Sequence, residues 1–190
     1  MTRALLTIVA TTIVLMAIAP GAATAQSTSD AAIGASASGS APADSTRPRP
    51  RAIEYSDAYG TRLQIHRIGS YAELPLFASE YILGDRLMRQ NPPDWMKPAH
   101  NIVAGGLGIL FTVNTVTGVW NLVESRKDPE GRARRWVHSA LMLAADAGFA
   151  YTGLIAGDAK DSPEGRTRHK NAALVSMGLA TTGTLIMWFW

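Results

Sequence analysis

The sequence has no cysteine. That excludes disulfides, iron–sulfur clusters, thiolate metal sites and haem attached covalently through a C-x-x-C-H motif. Charge is also scarce, at 17% of 190 residues, against roughly 25% in soluble domains. Residues 26–50 contain no aromatic side chain, and residues 101–123 contain no Asp, Glu, Lys or Arg. No nucleophile–base constellation, phosphate-binding glycine loop or metal-hydrolase motif is present. Gly105-Gly106-Leu107-Gly108 falls inside an apolar run and reads as helix packing. These absences exclude collagen-like, disulfide-rich and wholly disordered chains, and they argue against a soluble globular domain.

The net charge of +3 comes from 18 basic and 15 acidic residues. The arginines sit between apolar runs rather than on one basic face. They read as membrane-flanking residues, so nucleic acid is not an expected partner and membrane lipid is.

The first 25 residues carry Arg3, an apolar run from Ala4 to Ala19, Pro20-Gly21, and Ala23-Thr24-Ala25. A basic start, a short apolar core and an A-x-A site compose a secretory signal peptide. The alternative is an uncleaved anchor, for which the run is short. Residues 26–62 are expected to form a disordered exported linker, rich in Ser, Ala, Gly and Pro before Arg47-Pro48-Arg49-Pro50-Arg51.

Beyond it, the sequence predicts four helices at 63–88, 99–123, 136–157 and 169–190. Asn91-Pro92-Pro93-Asp94 interrupts the first joint. Asp128-Pro129-Glu130-Gly131 and Ser162-Pro163-Glu164-Gly165 read as turns, in loops similar enough to hint at internal repetition. Frequent Gly and Ala would let helix backbones approach closely. Once the helices alternate in direction, Trp120, Trp136, Trp188 and Trp190 fall on one side and Trp95 on the other, as in interfacial aromatic belts. The expected fold is therefore all-α: a membrane-spanning up-down four-helix bundle with a disordered N-terminal segment.

The chain has four histidines, one per predicted helix, each expected in the first turn. Alternation puts His66 and His138 near one face and His100 and His169 near the other. Each pair comes from helices running the same way, which can sit diagonally in a bundle. Imidazole is an axial ligand of haem iron, and two such pairs at opposite depths are what two bis-histidine haems require. A lone histidine at a helix end is ordinarily interfacial; the joint pattern is what points to ligands.

The histidines of Ile65-His66-Arg67-Ile68-Gly69, Ala99-His100-Asn101-Ile102-Val103, Val137-His138-Ser139-Ala140-Leu141 and Arg168-His169-Lys170-Asn171-Ala172 are spaced by 34, 38 and 31 residues. In this frame, over residues 63–190, the chain resembles the cytochrome b561 family of transmembrane dihaem proteins. The resemblance implies that the first and third helices share one non-covalent b-type haem and the second and fourth the other. His66 with His138, and His100 with His169, would then be axial pairs in a protein that carries electrons across the membrane, between a donor and an acceptor the sequence does not name. The sequence departs from that family in lacking outer helices and in its polar first helix.

Arg67, Arg135 and Arg168 adjoin the histidines and are candidates for pairing with haem propionates; the plainer account of the loop cations is headgroup contact. His66, Glu73 and Glu80 recur every seven residues on one stripe, and Asp146 lies mid-helix. With no mid-helix cation, these carboxylates should face the interior, either as a proton path or hydrogen-bonded to Thr, Asn114 or Tyr151. A cleaved signal leaves the linker on the exported side of a bacterial-type inner membrane. Flanking Lys and Arg divide evenly between the faces and do not decide orientation. Two other classes fit the apolar runs: a cofactor-free structural or assembly subunit packing against other membrane chains, and a small carboxylate-based transporter.

Overall fold

The computed structural model describes residues 53–190. The signal-peptide reading and most of the linker lie outside the described residues. Four long helices account for most of the remainder, and among the described residues there is no strand. The fold is all-α.

Helix α1 spans Asp57–Leu87. The Ser56 hydroxyl caps it by accepting the Tyr59 N–H at 3.2 Å, and Asp57 supplies a negative charge to the first turn, both favourable at a helix N-terminus. The helix therefore takes in Asp57–Arg62, which the sequence assigns to the linker. It ends before Asn91, whose φ of 53° turns the chain ahead of Pro92 and Pro93. Helix α2 spans Met96–Glu124 and runs on into a 3-10 turn, Ser125–Lys127. Gly131, at φ 61°, precedes α3, Arg132–Leu154; that left-handed conformation is one that glycine adopts without strain.

A single helical turn, Asp158–Asp161, leads to α4, Pro163–Phe189. Here the turn expected at Ser162-Pro163-Glu164-Gly165 is instead a helix start. The Ser162 hydroxyl accepts the Gly165 N–H at 2.9 Å and Pro163 takes the first helical position. Serine at the cap followed by proline is a start signal with the same composition as a turn.

Short connections make α1 antiparallel to α2 and α3 antiparallel to α4, and these two hairpins are the closely packed units. Between hairpins the contact is thinner, α2 on α3 and α1 on α4. All four helices contribute to one core of Phe77, Leu83, Val103, Leu107, Phe111, Met142, Ala145 and Ala180. At its middle, the rings of Phe77, Phe111 and Phe149 meet with centroids 4.8–5.9 Å apart, aromatic contact distances.

The interior also holds Glu73, Glu80, Asn114, Thr117, Asn121, Thr152, Ser176 and Thr184, while Ile102, Ile109, Val116, Trp120, Leu154 and Val175 face outward. Two helices, α2 with its following turn and α4, are long and apolar enough to cross a membrane. The sequence reading expects four. Helix α1 carries Arg62, Arg67, Glu73, Glu80, Asp85 and Arg86, and α3 carries Arg132, Arg134, Arg135 and Asp146.

Candidate functional site

The histidines lie deeper than expected. His100, His138 and His169 occupy the second turns of their helices and His66 the third, because each helix starts several residues before its apolar run. Their pairing follows the alternation of the helices. The rings of His66 and His138 have centroids 5.9 Å apart, and those of His100 and His169 6.4 Å apart. All four side chains are half-buried.

Each ring is held through Nδ1. His66 Nδ1 lies 2.9 Å from the Asn114 carbonyl, His138 Nδ1 2.9 Å from the Gly183 carbonyl, and His169 Nδ1 3.1 Å from the Thr152 carbonyl. A carbonyl only accepts, so in these three rings Nδ1 carries the proton and Nε2 presents a lone pair. The fourth ring differs. His100 Nδ1 faces a carboxylate, Glu80 Oε1, at 2.9 Å, in a contact whose alignment falls short of a hydrogen bond. Among the described residues, Nε2 of each ring is left without a hydrogen-bond partner.

One stride generates all four contacts. Asn114 lies fourteen residues beyond His100, Glu80 fourteen beyond His66, Gly183 fourteen beyond His169 and Thr152 fourteen beyond His138. Within each hairpin, each helix therefore anchors the histidine of its partner. At 1.5 Å per residue the two imidazole levels are separated by about 21 Å. Phe77, Phe111, Phe149 and Ala180 lie eleven residues beyond the four histidines, three turns along and on the same face, so the central core occupies the space between the levels.

The carboxylates are interior groups. Glu73 is fully buried; its Oε2 accepts the Thr184 hydroxyl at 3.0 Å and its Oε1 has no partner. Asp146, half-buried, accepts the Thr115 hydroxyl. Glu80 shares a buried stripe with Glu73 but serves His100, at the level opposite His66. Among the described residues, no group of three or more His, Asp or Glu side chains gathers where a bare metal ion could sit.

The arginines divide by use. Arg135 donates to the carbonyls of Glu130, Asp128 and Ser125 at 2.5, 2.7 and 3.3 Å, tying the α2–α3 loop together. Arg168 pairs with Asp158 in the α3–α4 connection. Arg67 is exposed. Unforeseen in the sequence is a cluster at the start of α1. Arg62 donates to Asn121 Oδ1 at 2.9 Å, pairs with Glu124, and lies 5.3 Å from the centre of the Trp120 ring.

Comparison with family models, with curated proteins and with solved structures finds no match for this chain.

Proposed function

We propose that the chain is a membrane-spanning four-helix cytochrome of b561-like design, holding two non-covalent b-type haems and carrying electrons between the faces of a bacterial-type inner membrane. The observation that carries this reading is the geometry of the imidazole pairs. Two imidazoles gripping one metal from opposite sides, each nitrogen about 2 Å away, put their ring centres roughly 6 Å apart. The two pairs measure 5.9 and 6.4 Å. Metal-bound histidines almost always donate their other ring N–H to a carbonyl or carboxylate, which fixes the tautomer; here three rings meet carbonyls and the fourth a carboxylate. Haem brings its own equatorial ligands, so two imidazoles per site suffice and no larger cluster is needed.

The division of labour is then simple. Haem supplies a one-electron couple. His66 with His138 hold one site, and His100 with His169 the other. Asn114, Gly183 and Thr152 orient three of the rings. Glu73, Glu80 and Asp146 form an interior carboxylate series suited to moving protons between the levels, and Arg67, exposed beside His66, is available to a propionate. The membrane setting is supported by the inverted polarity of the molecule. Its interior is rich in carboxyl, amide and hydroxyl groups and its surface in Ile, Val and Trp, as suits a hydrocarbon solvent. The N-terminal linker belongs on the exported side.

The test is expression of the full chain and spectroscopy of its membranes. The expected result is a red membrane fraction with a sharp reduced-minus-oxidised band, about half of which is lost in His100→Ala. A well-folded, colourless protein would overturn the haem reading and favour the cofactor-free structural subunit.

A further inference from the structure

The two imidazole pairs follow one design with a single exception. At three of the four positions reached by the fourteen-residue stride, the partner of Nδ1 is a neutral backbone carbonyl. At the fourth it is Glu80. We propose that the Glu80 carboxylate makes the sites unequal, holding the His100–His169 pair at the lower reduction potential. This rests on the haem reading above and deepens it.

A carboxylate facing the ring N–H of a bound imidazole raises the basicity of the other nitrogen. A more basic ligand, with a negative charge close behind it, favours the oxidised metal. Hydrogen bonding and nearby charge are the levers a protein has on haem potential. The surroundings let this charge act with little screening. The Glu80 and His100 side chains are only 9% and 21% exposed, and charges interact more strongly in such a medium than in water. Two cations at this end, Arg89 and Lys170, face Asp85 rather than Glu80. Among the described residues Glu80 Oε2 is buried without a hydrogen-bond partner, so no donor on the far side of the carboxylate competes with His100. At the other level, both His66 and His138 rest on carbonyls. The downhill direction within the chain then runs from the His100–His169 level to the His66–His138 level.

The experiment is a spectroscopically monitored redox titration of the full-length, haem-loaded protein in lipid nanodiscs. Wild type is expected to show two separate midpoints, with His100→Ala removing the lower one. Glu80→Gln keeps the size of the side chain and removes its charge. It is expected to shift the lower couple about tenfold toward the reduced form, about 59 mV for one electron, with the upper couple in place and the bis-imidazole spectrum retained. Unmoved midpoints in a fully loaded Glu80→Gln protein would overturn the proposal. So would loss of the higher midpoint in His100→Ala, a result that needs no Glu80 variant. A wild-type protein that binds no haem overturns the haem reading itself, and this inference with it.

Discussion

A glycine decides whether the His66 ring can reach its acceptor. In α2 the Asn114 carbonyl faces the N–H of Gly118 one turn on, and His66 approaches the same oxygen from α1. A Cβ on Gly118 would stand 3.0 Å from His66 Cε1 and 3.3 Å from Nδ1. The backbone of α2 is fixed by its own ladder, so the ring would have to give way. Gly84, in the corresponding position beside His100, is roomier, and its Cβ would lie 3.7 Å from Cε1, an ordinary contact distance. On the haem reading, Gly118→Ala is therefore expected to push the ring aside by a few tenths of an ångström and to weaken haem binding at the His66–His138 site, while Gly84→Ala leaves both sites as they are. Alanine is the better helix former by about 1 kcal/mol, so loss of helix is not the expected cause. Full haem loading in Gly118→Ala would show that this contact does not position the ring.

At the level of elements, the ends of the helices are stitched together where α1 begins and α2 ends. The backbone N–H of Ser56 donates to Glu124 at 2.8 Å, and the Tyr55 hydroxyl donates to Asp128 at 2.5 Å. The Tyr55 hydroxyl, then the Glu130 N–H, and with them the charge of Arg135, hold the Asp128 carboxyl below its usual 3.8. In return, the hydrogen bond to Asp128 pushes Tyr55 up to about 12. The signs follow by linkage. The depressed Asp128 contributes stability that is complete above the ordinary aspartate range and is lost as pH falls through its lowered value. The raised Tyr55 contributes stability that is complete below its ordinary value of 10.0 and is lost as pH rises toward about 12. The protection factor for amide exchange at the start of α1, measured relative to the intrinsic rate at each pH, should accordingly be highest between these limits and fall beyond both, and Tyr55→Phe should lower it and blunt both edges. A protection factor in wild type that stays constant through both limits would dissolve this knot.

The same element boundaries mark what was legible in the sequence. Apolar runs and proline-bearing joints disclosed four helices and their alternation, and alternation is enough to pair His66 with His138 and His100 with His169. The starts were hidden because the first turns, such as Arg132-Ala133-Arg134-Arg135 and Pro163-Glu164-Gly165-Arg166, are polar. A polar turn looks like a linker until its cap is seen. Glu80 was misleading for a different reason. Helical spacing places it on the stripe of His66, its own helix, but a side chain acts on what lies across the groove, and there it meets His100. The fourteen-residue stride is present in the sequence, yet it carries meaning only once the antiparallel register of each hairpin is known.

For the molecule as a whole, the weakest seam runs between the hairpins, and both imidazole pairs straddle it: His66 in α1 with His138 in α3, His100 in α2 with His169 in α4. Polar contacts cross the same seam, Thr184 to Glu73 and Thr115 to Asp146. In the proposed membrane setting, hydrogen bonds between helices average only about 0.6 kcal/mol each. A ligand held by both hairpins contributes more, about 2.7 kcal/mol when present at a hundred times its dissociation constant. If the proposed haems are bound, the assembled form should thus depend on them more than on its own interior hydrogen bonds. Thermal unfolding in detergent is expected to show a higher midpoint for the loaded protein than for protein produced without haem, and a smaller drop for Thr184→Val than for haem removal. In the haem-free protein, protease should cut first at the α2–α3 connection, around Asp128–Gly131, because that segment bridges the two hairpins and its constraint relaxes when they part. Equal midpoints with and without haem would mean that the hairpins hold together through their apolar core alone, and that the histidines do not clamp a shared group across the seam.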